Sequence, residues 1–247
     1  FTGTPIFDTI TNLLMYKHAA KRSSVYNSSF FEEYTKHGWL YGSFSQLGTN
    51  TGRFSSRNPN LQQIPKNKGD NNGARHLIGN REGFKIVSVD YSQIEFRIAA
   101  NIANDTKAFE LFDQSHYDVH TMVAASVFEV EPNKVTKDQR QLSKAMSFTL
   151  LFGGGAFLLS RYATALGADL PLARAQPIVL DFFDQFQGLL TLRNRAYAIA
   201  AKNNPFTIQL PTGLRRVLMP GTDLKATLIL NNMVQGTAAA GMKYALL

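Results

Sequence analysis

Four side chains recur at a spacing of four: Arg140, Lys144, Phe148 and Phe152. On an α-helix each such step drifts by about 40°, so all four fall within about 120° of one face. Two cations followed by two rings would offer charge to a triphosphate and flat surfaces to a base and sugar. The same spacing also suits a helix whose rings are core and whose cations snorkel. A second candidate is the carboxylate pair Asp90 and Glu95, five residues apart. A carboxylate at a strand end can bind a hard cation such as Mg²⁺ through oxygen. Read alone, the pair suits helix capping better, with Asp90 as the cap and Glu95 in the first turn. A third is the polar, turn-rich stretch TGRFSS at 51–56 and NPNLQQIP at 58–65. Its arginine and amides could donate to phosphates and minor-groove acceptors, or simply form a surface loop. His120, taken alone, reads as an ordinary surface or core histidine. The run of three glycines at 153–155 follows a helical pattern and lacks the Lys-Ser/Thr ending of a phosphate loop.

These residues need elements to hold them. Residues 4–36 carry helical spacing at Ile6, Ile10, Leu13 and Leu14. Residues 38–73 are rich in Gly, Asn, Ser and Pro, with short strand-like pieces such as 39–44. Residues 84–89 (FKIVSV) read as a central buried strand, apolar on both faces from Ile86 to Val89, ending on Asp90. A helix follows, with Ile94, Ile98 and Ile102 on one face. From Asp105 to about Asn203 the chain reads as mainly helical. One helix starts at a capping box, Thr136 with Gln139, and stops at the three glycines. Residues 206–218 read as a hairpin turning near Thr212 and Gly213. A last helix begins near Asp223. Strands flanking a helical insertion predict an α+β protein with a mainly helical subdomain.

The 247 residues carry 26 Lys+Arg against 18 Asp+Glu, a net +8, with 44% hydrophobic residues, 18% charged residues and no Cys. That excludes a disulfide framework, a thiolate metal site and a Cys nucleophile. No apolar run reaches the roughly 20 residues of a membrane span. The charge is uneven. Residues 53–85 hold seven basic and two acidic side chains, residues 105–131 one basic and six acidic, and residues 132–225 twelve basic and five acidic. Basic stretches divided by a small acidic one suit a polyanion that meets some faces and avoids others.

The octapeptide DYSQIEFR at 90–97 resembles motif A of the family A DNA polymerases, DYSQIELR, with Phe96 in place of Leu. Residues 140–153 resemble motif B, R-x3-K-x3-F-x3-YG, on the O helix of the fingers, with Phe152 in place of Tyr. The loop at 51–65 resembles TGRLSS…NPNLQNIP, residues 118–120 (DVH) resemble D-[IV]-H, and residues 231–239 resemble N-x-P-M-Q-G-T-A-A. The blocks follow the family's order from Gly38 to Leu247.

The resemblance implies a palm with an antiparallel sheet and a helical fingers subdomain. Residues 1–37 would be a helical remnant of the thumb or the thumb–palm junction, 38–104 palm, 105–204 fingers and 205–247 a hairpin and helix returning to the palm. It implies that Asp90 binds two catalytic Mg²⁺ ions, with the Tyr91 carbonyl helping to hold one. Gln93 would lie beside the incoming dNTP, and Glu95 would close over its sugar and exclude a 2′-hydroxyl. Arg140, Lys144, His120 and Arg75 would meet the triphosphate. Phe148 would stack on the nucleotide, and its ring, rather than Tyr, resembles members that reject dideoxynucleotides. Phe152 and Gly153 would lie at the template base, without the usual hydroxyl. Arg53, Asn60, Gln62, Asn231 and Gln235 would face the primer–template duplex, where Thr227 replaces a usual arginine.

The implied activity is template-directed DNA synthesis, in an intracellular protein that works on DNA, of bacterial or phage origin. Motif C, a His-Asp-Glu with the second metal ligand, occurs nowhere in these residues. The chain as given is therefore expected not to polymerise DNA. A partial sequence, one half of a split polymerase whose second polypeptide carries motif C, and a non-catalytic DNA- and nucleotide-binding piece are the alternatives. A single-subunit RNA polymerase is a further one, against which Glu95 argues.

Overall fold

The computed structural model describes residues 4–64, 74–114, 118–165, 167–211, 213–221 and 224–247. Lys66, Lys68, Asp70, Thr212 and Asp223, which figure in the charge pattern, the hairpin turn and the last helix start, lie outside them. The chain divides into two compact units: residues 1–49 with 54–90, and residues 50–53 with 91–247.

In the first unit, Thr4 caps helix α1 (Pro5–Val25) by accepting from the Phe7 N–H, and Pro5 supplies a preset first turn. None of α1 is buried, so the stripe Ile6, Ile10, Leu13 and Leu14 stays exposed. Asn27 caps the short α2 (Ser28–Tyr34), whose Phe30 is ringed edge-on by Tyr26, Phe31 and Tyr34. Two antiparallel pairs follow: β1 (Thr35–Lys36) with β2 (Trp39–Leu40), and β3 (Ser43–Ser45) with β4 (Ser55–Arg57).

Residues 84–89 depart from the expectation of a buried central strand. They pair with no strand among the described residues, and Ile86, Val87 and Val89 are 74–83% exposed. An extended segment needs neighbours for its N–H and C=O groups and a cover for each apolar face. The described residues of the first unit supply neither, so Asp90 does not stand at the end of a buried strand there.

The second unit is helical: α3 (Ile94–Ala103), α4 (Thr106–Gln114), α5 (Val119–Phe128), α6 (Lys137–Leu151), α7 (Ala156–Ala165), α8 (Leu172–Gln185), α9 (Gln187–Lys202) and α10 (Ala226–Ala245). A hairpin of β5 (Phe206–Gln209) and β6 (Arg215–Leu218) precedes α10, with Phe206 opposite Leu218 and Gln209 opposite Arg215. The last helix thus starts three residues later than expected. Small antiparallel sheets and a mainly helical second unit make the chain α+β, as predicted.

One core joins helices α3 to α10, through residues such as Phe96, Ala108, Val123, Met146, Leu150, Phe182 and Val234. In α3 the most deeply buried residues are Phe96, Ala99 and Ala100, while Ile98 and Ile102 pack at the margin. Phe96 occupies the middle of an aromatic group, edge-on to Phe112 (5.6 Å) and Phe186 (5.5 Å). A second core joins the hairpin to α9 and α10 through Ile208, Leu218, Ile229 and Leu230. There a Cβ at Gly236 would come within 2.9 Å of the Leu210 methyls, so α10 packs closely against the hairpin at this point.

Candidate nucleotide-binding face on α6

The capping box forms as the sequence predicts. The Thr136 hydroxyl accepts from the Gln139 N–H (3.2 Å), and the Gln139 side chain accepts from the Thr136 N–H (2.9 Å). It fixes the start of α6, and with it the direction of Arg140 and Lys144. At the other end Phe152 is the C-cap and Gly153 has φ +83°, a left-handed conformation that favours glycine. The Gly153 N–H donates to the Leu150 carbonyl (3.0 Å) and the Gly154 N–H to the Thr149 carbonyl (2.7 Å), the two bonds of a Schellman motif.

Between these ends the predicted stripe is on one face. Phe148 and Phe152 lie nearly parallel, with centroids 6.2 Å apart and 11° between planes. The Lys144 ammonium stands 6.0 Å from the Phe148 centroid, a cation–π geometry. Phe152 also packs against both cores, so its ring is structural as well as displayed.

Helix α5 brings His120 to the same face. Asp118 caps α5 by accepting from the Thr121 N–H (2.9 Å) and hydroxyl (3.0 Å). The Arg140 guanidinium donates to Asp118 through Nε (3.0 Å) and again through Nη2. Burial works against the Asp118 carboxylate, but the bonds from Arg140 and Thr121 outweigh it and hold its pKa below the usual carboxylate value. His120 is buried against Phe148, with ring centroids 5.6 Å apart. Burial, reinforced by Arg140 and Lys144 and only partly opposed by Asp118, lowers its pKa to about 4. Its Nδ1 is buried and has no hydrogen-bond partner. Neutral His120 thus lies beside two cations, Arg140 and Lys144, with a polar atom still unsatisfied.

Gln93, at the start of α3 with φ 53°, accepts from the Val119 N–H (3.3 Å), so its side chain ties α3 to the first turn of α5. The helix cap is thus Gln93, which excludes the reading of Asp90 as the cap. Glu95 forms an ion pair with Arg53. Sequence reasoning assigned these two to different ligands, one to duplex and one to sugar, and did not foresee that they meet.

Asn231 and Gln235 lie one turn apart on α10, and the buried Asn231 Oδ1 lacks a partner. Their neighbour Asn232 accepts from Arg216, which also donates to the Asn50 carbonyl (2.8 Å). That brace escaped sequence reading, since it joins residues from three segments. In the first unit, Asn60 accepts from the Gln62 N–H (3.1 Å), Gln62 donates to the Phe54 carbonyl (3.2 Å), and Arg75 donates twice to the Ile64 carbonyl (3.3 and 3.2 Å).

Mg²⁺ needs several oxygen ligands in near-octahedral array. Among the described residues no group of three His, Asp or Glu side chains could hold a metal ion. Asp90 and the Tyr91 carbonyl are too few to hold one by themselves.

Comparison with known proteins identifies the family. The family model described as DNA polymerase family A matches residues 5–247. The DNA polymerase I of Chloroflexus aurantiacus is 32% identical over 98% of this chain and 26% of its own length. That of Pseudomonas aeruginosa is 33% identical over 95% of this chain and 26% of its length. The chain therefore spans about a quarter of the curated relatives it matches. A solved structure, the POL domain of Pol1 from M. smegmatis in complex with DNA primer–template and dNTP, aligns with a TM-score of 0.71 at 29% identity, over 94% of this chain and 41% of that one. With its motif blocks in order and its whole helical body matched, the chain belongs to DNA polymerase family A.

Proposed function

We propose that this chain forms the nucleotide-binding and part of the duplex-binding surface of a DNA-directed DNA polymerase. The observation that carries the reading is the convergence of His120, Arg140, Lys144, Phe148 and Phe152 on one face of α6. Arg140, Lys144 and His120 receive the triphosphate of a dNTP, and Phe148 and Phe152 receive its base and sugar. Arg75 adds a contact to the triphosphate. Gln93 shapes the turn beside it. Glu95 limits the space at the 2′ position. Arg53, Asn60, Gln62, Gly153, Asn231 and Gln235 meet the primer–template. In the reaction the primer 3′-oxygen bonds to the α-phosphorus as the bond to pyrophosphate breaks. Two Mg²⁺ ions supply charge neutralisation in such chemistry. Asp90 and the Tyr91 carbonyl would contribute part of their ligand set, and the work assigned to the rest of this chain is positioning. Residues 38–104 and 205–247 correspond on this reading to palm, and residues 105–204 to fingers.

The test uses the full-length protein with primer–template and dNTPs. Lys144→Ala should raise the dNTP KM by about ten-fold or more and leave DNA affinity unchanged. An effect confined to DNA affinity would overturn the assignment. Asp90→Asn should abolish extension while DNA binding persists, and comparable extension by that variant would sink the metal role.

A further inference from the structure

The C-terminal end of α6 is held from outside by a pair of α9 side chains that no motif block contains. The Tyr197 hydroxyl donates to the Gly153 carbonyl at 2.9 Å. The Arg193 guanidinium lies between two rings, 4.9 Å from the Phe183 centroid and 5.2 Å from the Tyr197 centroid. Phe183 belongs to the main core, so the sandwich is anchored. Gly153 is buried. A Cβ there would lie 3.0 Å from Leu230 and 3.8 Å from both Arg193 and Tyr197.

The last carbonyls of a helix have no partner within it. The Schellman bonds satisfy those of Thr149 and Leu150, and Tyr197 satisfies that of Gly153. The held residue is the immediate neighbour of Phe152, which stacks on Phe148. A shift of the Gly153 carbonyl would therefore move the Phe152 end of the ring pair first. The cationic end of α6 is secured separately, by Asp118 and by the capping box.

We propose that Tyr197, braced by Arg193, is a positioning residue that sets the Phe152–Gly153 turn and so the aromatic half of the nucleotide face. This rests on the nucleotide-binding reading of α6. Tyr197 touches neither nucleotide nor DNA on this account and acts only through the turn. Tyr197→Phe removes one hydroxyl and keeps the ring over Arg193, which makes it the variant of choice. Arg193→Met keeps the stem and removes the cation.

The experiment has two arms on the full-length protein. In the first, amide hydrogen exchange is compared between wild type and Tyr197→Phe. Exchange should rise about five-fold at residues 152–154, as for loss of one hydrogen bond, and stay unchanged in α5 and the first turn of α6. Arg193→Met should raise it at the same amides. In the second, primer extension should give a dNTP KM about five-fold higher for Tyr197→Phe, with kcat within two-fold of wild type. Unchanged exchange at 152–154 would overturn the latch whatever the kinetics. Raised exchange with an unchanged dNTP KM would overturn the positioning role. Failure of the underlying reading has a different signature, a dNTP KM that Lys144→Ala does not move.

Discussion

His120 lies where a proton is unwelcome. It is buried beside Arg140 and Lys144, and its pKa of about 4 lies below the ordinary 6.5. The unfolded chain therefore takes up a proton between those values that the folded chain refuses. The stability contributed by neutral His120 is complete above about pH 6.5 and is lost as pH falls toward 4, by about 3 kcal/mol in all. Urea midpoints measured across that range should fall with pH in the wild type and fall less in His120→Asn. A polyanion at the same face would reverse the preference, so nucleotide binding near pH 5.5 should take up a proton, measurable as a dependence of binding heat on buffer ionisation enthalpy. The stripe to which His120 belongs was legible because it repeats along one helix. The Arg140–Asp118 and Arg53–Glu95 pairs were not, because they join residues 22 and 42 positions apart.

Helix boundaries followed their local chemistry. The Thr136 box and the Gly153 stop involve residues within one turn of each other, and both form as read. Asp105 shows where local reading ends. Its carboxylate accepts from the Ala108 N–H (3.0 Å) in the first turn of α4 and from the Leu189 N–H (3.0 Å) in the first turn of α9. It is 3% exposed, and a Cβ at Gly188 would come within 2.7 Å of it. Only the first cap could be foreseen; the second depends on how α9 packs. Asp105→Ala should leave two buried donors unpaired and lower stability by about 2–4 kcal/mol, against about 1 kcal/mol for an ordinary cap. Chemical denaturation of the variant beside Thr136→Ala would measure the contrast. Which face of α3 is most deeply buried was not legible for a related reason. Spacing placed Ile94, Ile98 and Ile102 together, but the neighbours chose Phe96, Ala99 and Ala100, and spacing alone does not say which of two adjacent apolar stripes will be covered.

Over the whole chain, the +8 collects in stretches that carry the proposed duplex and triphosphate contacts. Primer–template affinity should fall about ten-fold or more between ~50 and ~200 mM salt, as counterions are released. Fluorescence anisotropy of a labelled duplex would register this. A salt-independent affinity would mean that the basic stretches do not meet phosphate. Among the described residues no helix is long and apolar enough to cross a membrane. The α+β class was legible from the order of apolar periods, but the fate of residues 84–89 was not, since a strand exists only through a partner. That segment has a practical side. It is short, rich in β-branched residues, free of proline and charged only at Lys85, and no strand among the described residues pairs with it, so another chain could add one from Lys85 onward. Preparations of this 247-residue chain should cloud with time and concentration, seeded by strand-to-strand adhesion at 84–89, and Val87→Lys should act as a gatekeeper that keeps them clear.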